Sequence, residues 1–335
     1  MNAPCSPTGE AVALSRAPAG EPGRFLYSIH RAHASPRIRV IITAGFALLL
    51  ATLSRAETLK IVTYNVENYV AANRMTEAGY REDYPKPEIQ KTGLRSVLKR
   101  LDADVLVLQE MGGPNYLDEL RRDLNHAGLE YPHTILLVGP DADRHVAVLS
   151  RRAFTSVRQH VDLTFPYFGG KEKVKRGMLE VTLETNGGAL TLFGVHLKSR
   201  YTDRADDVQS AARRQGEATV IRDLVLTRFP KPAQGNFLIL GDFNDDVSSK
   251  TLQRFRGRGS VRIAQLLPIA DARGERWTHV YKKADSYTRV DHILVSAALF
   301  PAVRNGVGSI DDGVGVLETS DHRPVMVVLD FPDKK

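Results

Sequence analysis

Short apolar runs rich in β-branched residues recur along the chain, and each ends in polar side chains. The clearest are Leu59–Val66, Asp104–Leu108, His145–Leu149, Met178–Leu183, Ala189–Leu197, Asn236–Leu240, Val290–Val295 and Val325–Leu329. Runs of this length and composition, bounded by turn formers, predict strands. Some alternate apolar with polar positions and others are apolar throughout, so part of the sheet structure is expected to be buried on both faces. Helical spacing predicts helices over Glu88–Leu101, Asn115–Ala127 and Ala205–Phe229. In the last, Val208, Ala211, Ala212, Ala218, Val220 and Ile221 form the apolar side among many charges. Strands outnumber helices, which suggests two packed sheets with helices outside them. No Pro/Gly/Ser-rich linker divides Glu57–Lys335, so this stretch reads as one domain.

The N-terminus follows a different pattern. Residues 1–36 are rich in Pro, Ala, Gly and Ser without hydrophobic period, and read as an unstructured prefix. Arg37 and Arg39 precede the apolar run Val40–Leu53, and Ser54-Arg55-Ala56 closes it with small residues at two alternate positions. This is the make-up of a secretory signal, with cleavage expected after Ala56 and export to the periplasm or medium. A buried helix is the alternative reading. The run is shorter than the roughly 20 apolar residues a membrane span needs, so no stable anchor is expected after cleavage.

That segment changes the charge picture. The whole chain has 46 Lys and Arg against 39 Asp and Glu; residues 1–56 hold six of the former and two of the latter, leaving 40 against 37, or +3. A nucleic-acid footprint must therefore come from local patches. The one cysteine, Cys5, lies in the leader, which excludes a disulfide, a thiol nucleophile or a cysteine metal site from the remainder.

The chemistry gathers at the strand ends. Ile61–Tyr64 runs into Asn65-Val66-Glu67-Asn68, Val105–Leu108 into Gln109-Glu110, and Leu192–Val195 into His196-Leu197-Lys198-Ser199. Leu238–Leu240 runs into Gly241-Asp242-Phe243-Asn244, Asp291-His292 opens the next strand, and Ser320-Asp321-His322-Arg323-Pro324 leads into the last. Taken singly, Asn65 and Asn244 read as turn formers or caps, and His196 as a satisfied core residue. Taken together they supply hard oxygen ligands and imidazoles with no cysteine, a donor set suited to Mg²⁺ rather than to a zinc cage. Phosphodiester hydrolysis needs a cation against the phosphate charge, a carboxylate to orient water, and donors around the phosphate oxygens.

The blocks Tyr64-Asn65-Val66-Glu67, Gln109-Glu110, His196-Leu197-Lys198-Ser199, Gly241-Asp242-Phe243-Asn244, Arg289-Val290-Asp291-His292 and Ser320-Asp321-His322-Arg323-Pro324 occur in this order. In them the chain resembles the endonuclease/exonuclease/phosphatase superfamily, the DNase I-like fold, from about Leu59 to Phe331. The resemblance implies an α/β four-layer sandwich: two packed mixed β-sheets flanked by helices, with the site at one sheet edge. It implies Glu110 as principal metal ligand with Glu67 and Asp321 nearby, and Asn65 touching metal-bound water or phosphate. It implies Mg²⁺ as cofactor, with Mn²⁺ able to substitute. Asp242 would position or deprotonate the attacking water, held by Asn244, which also contacts phosphate. His322 would donate to a phosphate oxygen, oriented by Asp291, and His196 would be a second phosphate contact or the proton donor to the leaving oxygen.

Weaker features have two readings each. Lys198 and Arg200 are either phosphate-side cations at the groove edge or a solvated cluster. Arg176-Gly177 reads as a structural turn, and Arg213, Arg214 and Arg222 as a solvated helix face. Trp277-Thr278-His279 and Tyr281, ahead of Ser286–Arg289, form a substrate-side loop or a packed hairpin. The expected activity is an exported, monomeric phosphodiesterase, foremost a nuclease, because Lys171, Lys173, Lys175 and Arg176 follow Tyr167 and Phe168. A phosphomonoesterase or a sphingomyelinase-like enzyme is the alternative, the latter resting on Thr164–Gly170 as an apolar hairpin. The inositol-polyphosphate branch is disfavoured, since its Pro-x-Trp-Cys-Asp-Arg block is replaced by Tyr287-Thr288-Arg289-Val290-Asp291-His292. A non-catalytic binding module is the remote alternative.

Overall fold

Apolar runs with no polar alternation are stable as strands only where both faces are covered, and the computed structural model, which describes residues 56–333, shows what covers them. All eight expected strands form, most extended by a few residues: Glu57–Tyr69, Val105–Met111, His145–Ser150, Met178–Thr185, Gly188–His196, Phe237–Asp242, Asp291–Val295 and Val325–Phe331. The proposed signal segment lies outside the described residues.

The strands form two large mixed sheets. In one, Glu57–Tyr69 lies between Val325–Phe331 (antiparallel) and Val105–Met111 (parallel), followed by His145–Ser150 and the edge strand His133–Leu137. In the other, Gly188–His196 and Phe237–Asp242 pair in parallel, flanked by Met178–Thr185 and Asp291–Val295. Phe154–His160 closes one edge of this sheet and Gln265–Leu266 the other. Alternate residues face opposite ways. Ile61, Val105, Val107, Val148, Leu192, Leu238, Leu240 and Ile293 meet in a core between the sheets. Their neighbours Val62, Tyr64, Leu106 and Leu108 pack under the helices Glu88–Leu101 and Pro114–His126. Phe193, Val195, Phe237 and Ile239 pack under the helix Ala211–Arg228. The arrangement is helix, sheet, sheet, helix: the four-layer sandwich expected from sequence.

The long helix corrects two expectations. It begins at Ala211 rather than Ala205, because Gln209 and Ser210 adopt left-handed backbone (φ 56° and 51°) and the Asp207 carboxylate accepts from Ala212 N and Arg213 N at 2.7 and 3.1 Å. Val208, counted on the apolar side, is 72% exposed. Arg214 and Arg222 are buried rather than solvated, on the same face as Ala218, Ile221 and Val225. Arg214 donates to Gln209 O (2.6 Å) and to Asp245 Oδ2 (3.3 Å), and Arg222 folds back on Asp223. Arg213 grips Glu172 with two nitrogens at 2.7 and 2.9 Å.

Candidate active site

The parallel strand pairs end together at one edge of the sandwich, and the antiparallel strands Asp291–Val295 and Val325–Phe331 begin there. Every block read from sequence therefore reaches one place. Register puts His196 beside Asp242 and Asp242 opposite Asp291. Pairing breaks into irregular register after Asn65 and after Leu108, as bulged strands do beside sites. Glu67, Asn68 and Glu110 there take left-handed backbone, with φ of 47°, 50° and 61°, and Asn244 does so at 53°.

Asp242 is the hub. Its Oδ2 accepts from Asn65 Nδ2 at 3.0 Å and from Asn244 Nδ2 at 3.1 Å, and its Oδ1 from Asn244 N at 2.8 Å. The Asn244 amide also donates to Leu197 O at 3.0 Å. Burial raises the Asp242 carboxyl to about 6, opposed by His322 and assisted by Asp291. Nε2 of His196 lies 3.5 Å and Nε2 of His322 3.9 Å from Asp242 Oδ2.

His322 is aimed by Asp291: its Nδ1 lies 2.8 Å from Asp291 Oδ2. Asp291 is fixed in turn, its N–H donating to Thr278 Oγ1 at 3.0 Å. Ser320 Oγ accepts from His322 N and donates to Asn65 O, tying the last block to the first. Burial opposes the charged imidazole of His322, but Asp291, Asp242 and Asp321 outweigh it and hold its pKa well above the ordinary value. His196 is driven the other way, by burial and then by Arg176, and stays neutral. A neutral imidazole can offer an N–H hydrogen bond to phosphate, the first of its two expected roles.

The Asn65 Oδ1 also accepts from Glu67 N at 3.0 Å, so this amide orders both Asp242 and Glu67. Lys198 lies nearly buried beside the site, with Nζ held by Ser199 O and Oγ, at 3.1 Å each, and by Tyr201 O. Burial, then Arg176, lowers its pKa to about 8. Arg200 pairs with Asp246 at 2.7 Å.

The sequence from residue 62 to 322 matches the family model described as the Endonuclease/Exonuclease/phosphatase family. The chain belongs to this family. No curated protein matches the sequence significantly. Among solved structures it is similar to a mutant of Staphylococcus aureus beta toxin with bound magnesium ions, at 17% identity and TM-score 0.57 over 81% of this chain and 99% of that one. It is similar to sphingomyelinase C from Streptomyces griseocarneus, at 19% and 0.53 over 82% and 99%. A 3′ phosphatase from Neisseria bound to a product DNA hairpin gives 18% and 0.51 over 82% and 100%. These likenesses carry the fold, and family membership implies a phosphoester hydrolase.

The endonuclease/exonuclease/phosphatase site includes residues that strand ends did not reveal. Lys86, fully buried, donates to Glu67 O at 2.9 Å and stands 4.0 Å from its carboxylate; burial lowers its pKa to about 8. His279 places Nε2 3.7 Å from Asp321 Oδ2, and its ring lies 4.7 Å from that of His322. It arrives on the hairpin His279–Tyr281/Ser286–Thr288, so the Trp277–Arg289 segment is both a packed hairpin and part of the site. The sequence signal was present in Thr278-His279, but only the bridge between His279 and His322 gives it meaning.

The family's divalent cation fits the donors present. Glu67, Glu110 and Asp321 are partly exposed carboxylates at the open face of the site. Burial and the charges of Asp321 and Glu110 raise the Glu67 pKa against Lys86, a repulsion that a cation would relieve. Glu110 is aimed by Asn68 N, which donates to its Oε2 at 2.9 Å. Among the described residues, ligand atoms of His279, Asp321 and His322 also lie within 4.8 Å of one another, as do those of Asp242, Asp291 and His322. The second group is already bound up in hydrogen bonds.

Proposed function

We propose that the chain is an exported, metal-dependent phosphodiesterase that cleaves nucleic acid by in-line attack of water. The observation that carries this reading is Asp242, buried and clamped by two amides, facing the His322–Asp291 pair beside three carboxylates. Glu67, Glu110 and Asp321 would hold Mg²⁺. When bound, the ion would neutralise the phosphate charge that grows in the transition state. Asp242 orients water and takes its proton, a task suited to a carboxyl raised toward neutrality. His322 donates to a non-bridging phosphate oxygen, kept charged and aimed by Asp291. His196 adds an N–H from its neutral ring.

Nucleic acid is favoured by a cavity of about 630 Å³ that adjoins Glu110 and Asn68. Arg144, Lys173, Lys175, Arg176, Lys198 and Arg213 line it against Glu110, Glu172 and Asp203, a positive field suited to phosphate backbone. The lipid alternative is left with one exposed aromatic, Phe168, at 49%. In the hairpin Thr164–Tyr167/Gly170–Lys173, Phe165 and Tyr167 are buried against the long helix instead of forming an apolar wedge. Export is supported by the Val40–Ala56 pattern, and no helix among the described residues is long and apolar enough to cross a membrane.

The test is a substrate panel of plasmid DNA, RNA, a chromogenic phosphodiester, a chromogenic phosphomonoester and sphingomyelin. Wild type should cleave nucleic acid and the diester, EDTA should stop it, and Mg²⁺ or Mn²⁺ should restore it. Asp242→Ala should lose about 10²–10⁴-fold in turnover without loss of fold. Near-wild-type turnover by that variant, or activity that survives chelation, refutes the reading.

A further inference from the structure

Beyond the site, toward the opposite sheet edges from the Lys175 cavity, lies a second cleft of about 790 Å³. Its wall is apolar, formed by Val247, Leu266, Leu267, Pro268, Ile269 and Val307. Three arginines, Arg256, Arg276 and Arg289, face it, and no carboxylate lines it. Most arginines among the described residues are ion-paired, yet none of these three has an acidic partner there. Arg289 donates from Nη2 to Leu267 O at 2.9 Å, and its Nε is buried without a partner. Burial and then the like charge of Arg276 lower the Arg289 pKa to about 10. A partly desolvated guanidinium beside another cation is costly unless an anion offsets the charge.

The chain path brings one side of this cleft close to the chemistry, while Leu266 and Gly308 lie further along their strands. Arg289 stands two residues before Asp291, Arg276 three before His279, and Ser248 four after Asn244. The volume lies within the range of small-ligand pockets.

We propose that the cleft is a binding subsite for the nucleotide flanking the scissile phosphate, with its phosphate held by Arg276 and Arg289 and its base on the Leu267–Ile269 wall. The assignment rests on the nucleic-acid reading of the site. Arg256 supplies a further cation at the rim. Two cationic cavities toward opposite edges favour a strand with phosphates on both sides of the cut. A lipid with one headgroup would leave one of them unused.

The experiment compares full-length wild type with the double variant Arg256→Ala, Arg276→Ala, which removes two exposed side chains that have no protein partner. Turnover is measured with Mg²⁺ on bis(p-nitrophenyl) phosphate, a dye-labelled single-stranded 12-mer and sphingomyelin vesicles, and 12-mer affinity by anisotropy in EDTA. The double variant should lose about tenfold or more in kcat/KM and affinity on the 12-mer, with little change on the small diester. The slope of log affinity against log salt should fall by about 0.7 for each phosphate contact removed. Arg289→Lys, which keeps the charge but loses the fork, should weaken the 12-mer similarly. Equal effects on the 12-mer and the small diester, or none, overturn the subsite. A wild type that hydrolyses the small diester but neither binds nor cleaves the 12-mer overturns the nucleic-acid reading and the subsite with it. Loss confined to sphingomyelin assigns the cleft to lipid instead.

Discussion

Four of the eleven non-glycine residues with positive φ among the described residues lie at the site: Glu67, Asn68, Glu110 and Asn244. For glutamate this conformation costs on the order of 1 kcal/mol or more, and it persists only where surrounding contacts enforce it. Asn68 N on the Glu110 carboxylate and Lys86 on Glu67 O are such contacts. The imidazole of His322 is enforced differently, through Asp291 and, behind it, Thr278. Replacing Asp291 by Asn keeps the shape but removes the charge that sustains the imidazolium. Turnover by Asp291→Asn should drop about 10²-fold or more while KM stays near wild type, since the loss falls on the transition state. A variant with unchanged kcat would detach His322 from the proposed role.

At the scale of elements, one glycine and one glutamate set the position of the site. Gly241 sits in the strand leading to Asp242 with φ 144°, and a Cβ there would lie 1.9 Å from Val195 O. Gly241→Ala must push the paired strands apart, and should cost about 3 kcal/mol or more in a denaturant melt. Glu217, buried on the long helix, accepts from Lys175 N at 2.9 Å and Lys198 N at 2.7 Å, pinning both loops that carry the basic cavity. Glu217→Ala leaves two buried donors unpaired and should cost about 2–4 kcal/mol, measured in the same way. The strands were legible in sequence because sheets covered on both faces select unbroken apolar runs such as Leu238–Leu240, and the polar residues at their ends stood out against them. Other elements hid. The hairpin Ala72–Thr76/Gly79–Tyr84 is largely exposed and carries no apolar period. Arg214 and Arg222 read as solvent-facing because sequence shows their charge but not the carbonyls and acids that receive it. Lys86 and His279 follow no strand end, and only tertiary pairing brings them to Glu67 and Asp321.

Across the whole molecule, the turn bearing Asp321 and His322 is anchored by Arg323, whose buried guanidinium pairs with Asp271. Despite the opposing effect of burial, this pairing and the backbone donors of Glu275 and Arg273 hold Asp271 at about 2, below its usual value near 4. A carboxyl depressed in the folded state stabilises above its unfolded pKa and loses that contribution as pH falls through the folded one. The melting temperature should therefore decline as pH drops from about 4 toward 2, and Asp271→Asn should flatten that part of the profile while lowering stability at neutral pH. An unchanged acid slope would exclude the pair as an anchor.

The bond from Asn65 to Asp242 joins the first strand of one sheet to the second sheet, and Ser320 returns to Asn65 O from near the C-terminus. Neither half of the sandwich holds a working set of groups by itself. The complete set of groups therefore exists only once both sheets have packed, and a half-folded chain should show no turnover. Recovery of turnover during refolding should lag behind recovery of secondary structure and coincide with closure of the two sheets.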